Sequence, residues 1–348
     1  MTLPNTAIAE LMALRAEELS GDRQRAYRRA SRRAYQWPQE VGDMVADDRP
    51  LTDLKGIGAK LSGLIRSWLD DPPDVPEPPP IRSGFMSFAE ARADAGKSEA
   101  FSYNGDLQMH SVASDGRATI EEMARAGLAL GYRYIAITDH SKGLPIAGGI
   151  DEEELAQQGR EIDGVNEKLA SEGHDFRILR SMEMNLNPQG GGDMDPDALG
   201  QLDIVLGSFH SSLRKKEDQT DRYIAALRNP DIHVLGHPRG RIYNFRAGLV
   251  ADWPKVFAVA AEEGKALECD CFPDRQDLNV ELLTAARDAG TWISMGTDAH
   301  NEAEMGFMPI GVASALRAGI SRDRILNLMT AEEIVAWARD AELRRTPV

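Results

Sequence analysis

Five of the seven histidines, His110, His140, His210, His237 and His300, fall at or just after the end of a short apolar run, and Asp115, Glu183 and Asp298 occupy similar places. Imidazole and carboxylate form the ligand set of zinc, manganese or iron. Eight such groups exceed one ion's needs, so two or three divalent ions (Mn, Zn or Fe) are expected. Adjacent ions can clamp both oxygens of an in-line phosphoryl displacement and activate water near neutral pH. The pattern points to metal-dependent hydrolysis of a phosphoester. The other two histidines are set aside as structural, His174 in a helix-to-strand loop and His233 inside a strand.

To meet, these residues need a scaffold that gathers strand ends. Seven apolar strands are predicted: 106–109, 134–138, 177–182, 203–208, 232–236, 266–270 and 292–296. Helical patterns lie between them, for example 119–130, 152–169, 222–228, 253–263 and 278–289. Each parallel crossover needs a helix, so the alternation implies an α/β fold with a parallel sheet. Seven units suggest a barrel, whose strand C-termini converge on one face. No GxGxxG follows the first strand, so a dinucleotide site is not supported. Cys269 and Cys271 alternate with Asp270, which puts the thiols outward if Asp270 faces the interior.

The segment DDPPDVPEPPP, with six prolines in eleven residues, excludes helix or central strand and reads as a stiff linker over 71–82. It divides a helical domain, 1–70, from the barrel, 83–348. The small domain holds eleven Lys/Arg against ten Asp/Glu, so the remainder carries about −17 of the net −16. Six arginines between Arg23 and Arg33 have helical spacing, giving a basic stripe. Leu54-Lys-Gly-Ile-Gly-Ala-Lys-Leu61 then joins two helical patterns through paired glycines. Such a turn brings backbone N–H groups close to an anion. It resembles a helix-hairpin-helix motif, which grips a nucleic-acid backbone without reading sequence. Arg28, Arg32, Lys55, Gly56, Gly58 and Lys60 are the candidate contacts. The whole segment resembles the small N-terminal domain of family X DNA polymerases, which implies DNA as a partner.

With 42% hydrophobic and 28% charged residues the chain is neither disordered nor fibrous. No apolar stretch reaches membrane-spanning length, and the N-terminus lacks the basic-then-apolar pattern of a signal peptide. A cytoplasmic location without membrane contact is expected. Two cysteines rule out a disulfide framework, and the net charge of −16 argues against a general nucleic-acid coat protein. Oligomeric state is left open.

Six motifs occur in order: Asp106-Leu-Gln-Met-His-Ser with Ser-Asp-Gly116, Thr138-Asp-His-Ser141, Met182-Glu-Met184, Gly207-Ser-Phe-His-Ser211, Gly236-His-Pro-Arg-Gly-Arg241 and Gly296-Thr-Asp-Ala-His300. Together they resemble PHP-domain phosphoesterases over about residues 101–330. The resemblance implies a distorted (β/α)7 barrel holding up to three metals. It places Gln108, His110, Glu183 and Asp298 around one ion. Glu183 would bridge to a second, held by His210 and His237, while Asp115, His140 and His300 would hold a third. The first motif usually reads His-x-His, but here it is Gln108-Met-His110. Glutamine is a poor ligand beside imidazole, which leaves open whether the first metal binds weakly, differs in identity or is absent. Asn185 replaces a usual acidic residue, and Asp270 stands where relatives often carry Asn.

Phosphate-binding candidates are Lys142, Arg239 and Arg275, with Arg214, Lys215 and Arg241 as further cations near the rim. His210 or Asp270 is the candidate acid for the leaving oxygen, and Arg239 a catalytic cation. Nucleic-acid ends or gaps, as in DNA repair, are the expected substrates. A small-molecule phosphomonoesterase of histidinol-phosphatase type, or a DNA-binding protein with a weakened barrel, are the alternatives. A metal amidohydrolase fits less well, because Leu202–Ser208 carries no bridging lysine. The chain passes almost directly from hairpin to barrel, which leaves no room for a polymerase core.

Overall fold

The structure is a computed structural model and describes residues 3–97 and 102–343, so the end of the barrel segment, 344–348, lies outside the described residues. Two parallel sheets carry the body. β1 (Gly105–Asp106), β2 (Tyr134–Ile137) and β3 (Arg177–Arg180) form one, in that order. The other runs β4 (Glu183–Asn185), β5 (Leu206–Ser208), β6 (Val234–Gly236), β7 (Ala266–Asp270) and β8 (Trp292–Gly296). Residues 134–137 are fully buried, as in parallel strands covered on both faces.

The predicted strands 106–109, 203–208 and 232–236 are shorter in the structure, and one more differs in kind. The run 177–182, expected as a single element, divides at Ser181-Met182: β3 pairs with β2, and β4 pairs with β5. The backbone leaves β2 because the segment entering β5 takes it up, with Asp203 N–H donating to the Arg180 carbonyl (2.9 Å) and Leu206 N–H to that of Met182 (3.0 Å). Isolated parallel bridges, His140–Glu183 and Met109–Ala299, join the two sheets into a ring. Both are made by ligand-bearing segments at the strand C-termini.

Helices fill the crossovers. α6 (Ile120–Ala129) and α7 (Glu152–Ser171) open on capping boxes, Thr119 with Glu122 and Asp151 with Glu154. α9 (Thr220–Leu227), α10 (Trp253–Glu262) and α11 (Val280–Ala289) pack in sequence outside β5–β8, with α12 (Pro309–Ala318) beside α11. The short α8 is Pro196–Leu199. α13 (Ala331–Leu343) closes the strands' N-terminal end, packing Ile334 and Trp337 with Tyr134, Val234 and Ala266.

Ahead of the ring lie α1 (Asn5–Glu17), α2 (Gly21–Ala34), α3 (Val41–Ala46), α4 (Ala59–Asp70) and α5 (Phe88–Ala95). Along α2, Ala30, Ser31 and Ala34 are buried, which leaves Arg23, Arg25, Arg28, Arg29 and Arg32 on the exposed face. Gly56 sits at φ 91°, a turn conformation that suits glycine.

The Pro-rich segment has no regular structure, yet it does not hold two separate bodies apart. Tyr243, from the loop after β6, belongs to the N-terminal hydrophobic core. Its hydroxyl lies 2.9 Å from Ser31 Oγ, and its ring packs on Tyr35 at 4.6 Å. Arg82 is 5% exposed and grips Glu10 twice, Nη2–Oε1 at 2.8 Å and Nε–Oε2 at 2.9 Å, while Nη1 reaches Glu17 at 2.6 Å. Removing one partner of a buried pair leaves an uncompensated charge. Arg82→Ala is therefore expected to destabilise the chain by about 3–5 kcal/mol, read as a lower denaturant midpoint; a loss under about 1 kcal/mol, ordinary for a surface pair, would contradict this.

Candidate metal centre

The strand ends bring the predicted donors together. Single ligand atoms of His110, Asp115, His140 and His300 lie within 4.8 Å of one another, as do those of His140, Glu183 and His210, and those of His110, Glu183 and Asp298. His237 joins through Nε2, 2.7 Å from Glu183 Oε1, and His210 Nε2 lies 3.1 Å from the same oxygen. Glu183, His110 and His140 thus each belong to two of these groups.

Local structure aims these side chains. Asp139 accepts from Ser111 N–H (2.8 Å), Ser111 Oγ (2.6 Å) and Gln158 Nε2 (2.6 Å), which pins the loop after His110 to the loop bearing His140. Asn185 Oδ1 lies 3.2 Å from His210 Nδ1, so it accepts the ring proton and leaves Nε2 free to face Glu183. His237 (φ 20°) and Asp298 (φ 51°) hold positive backbone angles, uncommon for such residues and frequent at functional sites.

Electrostatics follow from burial and crowding. Burial opposes charge on His237, yet Glu183 holds its pKa up at about 10. His300 is likewise disfavoured by burial, but its hydrogen bond to Asp115 raises it to about 9. For His140 burial prevails and lowers it to about 4. Glu183 is pulled well below the ordinary carboxylate range against its burial by His140, His237 and His210. Asp298 is lowered in the same way by its bond to His110. Asp270 and Glu268 move upward, mainly by burial and then by neighbouring carboxylates.

The amide of Gln108 faces Glu268: its NH2 donates to both carboxylate oxygens, the longer contact 2.7 Å. That carboxyl group, from β7, also accepts His237 N–H at 2.7 Å. Gly296 gives Glu268 its room, since a Cβ there would collide with the carboxylate. Glu268, one alternation before Asp270 on the same strand face, is a residue the sequence reading passed over, although strand period alone would have found it. Asp270 is buried beside these groups, with Oδ1 accepting Phe272 N–H at 2.8 Å and Oδ2 without a partner. Cys269 and Cys271 pack in the outer core.

Two cations line the donor cavity of about 420 Å³, Arg275 and Arg246. Arg275 Nη2 lies 3.9 Å from Asp298. Arg246 was missed because it stands nine residues after His237, at the end of the loop. Lys142 turns away to pair with Glu152 at 2.6 Å, drawn by the acidic first turn of α7. Arg239 donates to the Ala247 carbonyl and does not line the cavity. His174 is far from these donors, near Glu172, and His233 Nδ1 accepts Val205 N–H at 3.0 Å.

Of the nucleic-acid candidates, Arg28, Lys55, Gly56, Gly58 and Lys60 are exposed. Arg32 is instead ion-paired with the fully buried Asp274 of the rim, which removes it from a freely available basic stripe.

The donor set fits divalent ions. Buried His110 Nδ1 and His237 Nδ1 have no hydrogen-bond partner, and the carboxylates of Asp115, Glu183 and Asp298 converge, with Arg275 the one guanidinium paired to Asp298 among the described residues.

No family model matches the chain. The DNA polymerase/3'-5' exonuclease PolX of Bacillus subtilis is 39% identical over 236 residues, 68% of this chain and 41% of that protein, so the chain spans about two fifths of that relative's length. A probable phosphatase of Caldicellulosiruptor bescii is 31% identical over 213 residues, 58% of this chain and 81% of that protein. A probable phosphatase of Serratia proteamaculans is 27% identical over 232 residues, covering 65% and 90%. Among solved structures, histidinol phosphate phosphatase from Lactococcus lactis aligns with TM-score 0.46 at 16% identity, covering 66% of this chain and 97% of that one.

Two outcomes follow from these charges. His237 and His300 have folded pKa values above the unfolded value of about 6.5, so the stability they add is complete below that and is lost as pH rises through about 9 to 10. Metal-free protein should therefore lose stability steadily from pH 7 to 10 in denaturant titrations; a rise over that window would refute the assignment. Gln108→His offers an imidazole in place of the amide, and the number of ions retained per chain should increase in elemental analysis, whereas an unchanged count would show that residue 108 does not limit occupancy.

Proposed function

Because the chain belongs to the PHP-type phosphatase family, whose members are metal-dependent phosphoesterases, we propose that it hydrolyses phosphate esters at nucleic-acid ends or gaps. The observation that carries this is one cavity in which the donors of Asp115, His140, His210, His237, Asp298 and His300 face Arg275 and Arg246. His110, Glu183 and Asp298, then Glu183, His210 and His237, and then Asp115, His140 and His300 would hold divalent ions such as zinc, manganese or iron, which would supply Lewis-acid charge and an activated water.

The chain's own groups do the rest. Arg275 and Arg246 hold the phosphoryl oxygens and offset charge that grows during transfer. Asp298 and Asp270 keep Arg275 protonated against its burial. His210, partly exposed at the cavity mouth, presents Nε2 as an ion donor because Asn185 takes up its Nδ1 proton. The leaving oxygen takes its proton from water at the open mouth of the cavity. Asp270 is fully buried and acts through Arg275 rather than on substrate. Exposed Arg28, Lys55 and Lys60 supply backbone contacts to the strand through the N-terminal helices.

A small-molecule phosphomonoesterase is the second reading. It is favoured by the probable phosphatases, which this chain matches over 81–90% of their length.

Charge reversal separates the two without dismantling the shared core. Arg28→Glu with Lys60→Glu should weaken oligonucleotide binding at least tenfold and flatten its salt dependence, with p-nitrophenyl phosphate hydrolysis unchanged. Unaltered oligonucleotide kinetics would favour the small-molecule reading. Arg275→Ala should lower kcat/KM on every phosphoester by about 100-fold, the scale of losing one preorganised charge, and retained activity would exclude Arg275 from the reaction.

A further inference from the structure

Between the N-terminal helices and the catalytic rim lies a second cleft of about 350 Å³. Phe272 and Phe307, with Trp37 behind them, contribute aromatic surface to it; Arg33, Arg49 and Lys55 contribute positive charge, against the carboxylates of Asp53 and Glu304. Phe272 and Phe307 pack edge to face at 5.3 Å and are both partly exposed. Trp37 is 2% exposed, and its indole Nε1 has no acceptor. The cleft adjoins the metal centre through two backbone links. Glu304 lines it and accepts the N–H of His300 at 3.0 Å. The Phe272 carbonyl accepts Arg275 N–H at 2.9 Å, which ties the aromatic wall to the cavity's arginine.

None of the three cations has an ion-pair partner among the described residues, in contrast to Arg32 beside Arg33. Partly exposed aromatic rings and three unpaired cations against two carboxylates, beside a phosphoester site, match a heteroaromatic ring carrying a phosphate. The volume lies near the lower end of small-ligand pockets, about 300–1,000 Å³, which suits one nucleotide unit and excludes a duplex.

We propose that this cleft is a nucleoside subsite that receives the terminal base of the strand whose phosphoester is cut. The proposal deepens the nucleic-acid reading above and rests on it. Stacking on aromatic faces is tolerant of base identity, so the subsite would select for a base over no base, with little preference among the four.

The test has a binding arm and a kinetic arm on the full chain. By calorimetry, deoxyadenosine 5'-monophosphate should bind at least tenfold more tightly than deoxyribose 5-phosphate. Phe307→Ala should abolish that preference, and Arg33→Glu should weaken the nucleotide at least tenfold. Circular dichroism and melting check that each variant is folded, and Arg33 is far enough toward the surface to serve if Phe307→Ala is not. Equal binding of the two ligands, or a preference unchanged in a folded variant, overturns the subsite whatever the hydrolysis assays give. In the kinetic arm, an oligonucleotide ending in a base should show at least tenfold higher kcat/KM than one ending in an abasic residue, and Phe307→Ala should equalise them. Hydrolysis of both at equal rates by the unaltered protein rejects the subsite while leaving the phosphoesterase reading intact. Failure to hydrolyse any oligonucleotide, with the binding preference present, instead rejects the nucleic-acid substrate.

Discussion

Buried negative charge is the constraint around which this molecule is organised. Glu183 is fully buried, and Asp298 is nearly so, with Asp115 at the mouth. Isolated carboxylates in such a place would take up protons or disrupt the fold. Here imidazoles from five strand ends and Arg275 surround them, so each acid is held ionised by neighbours from distant parts of the chain. The same contacts close the ring. The bridge between His140 and Glu183 and the bridge between Met109 and Ala299 join the two sheets through segments that also carry donors. Fold closure and site assembly are therefore one event, and positive φ at His237 and Asp298 is a local distortion that this packing sustains.

The first donor position illustrates how a single substitution is absorbed. Gln108 is not an idle residue left pointing at an ion site. It satisfies Glu268, a carboxyl group that would otherwise be buried with only the His237 N–H as partner. Gly296 permits that approach. Position 108 thereby serves the hydrogen-bonded shell behind His237.

The N-terminal helices are coupled to the same loops. Arg241 donates to the Arg275 carbonyl at 2.8 Å and to the Gly84 carbonyl at 2.7 Å, and its guanidinium lies over the Phe85 ring. Arg32 pairs with Asp274, the neighbour of Arg275. The segment that positions the cavity's cation is thereby braced from the N-terminal side. A basic helix that composition alone presents as a solvated stripe has one arginine committed to this brace and others left for solvent or ligand.

The alternation of apolar runs and helical patterns, and the placing of His110, His140, Glu183, His210, His237, Asp298 and His300 at strand ends, were readable from residue order, because burial dictates strand period and polar residues mark where strands stop. Facing directions of Cys269, Asp270 and Cys271 followed from the same period. Other features depend on pairings between remote residues. The split of the third strand reflects which neighbour takes up the backbone at Ser181. Gln108 meets Glu268, and Lys142 meets Glu152, only across the folded chain. Arg246 enters the cavity because its loop doubles back through the Ile242–Arg246 bridge. The Pro-rich stretch specifies an extended backbone, but whether its two flanks touch was decided by Tyr243 and Arg82. Local composition sets what each segment can become; which polar group satisfies which is set by three-dimensional proximity, and that is why the ligand types were legible while their partners were not.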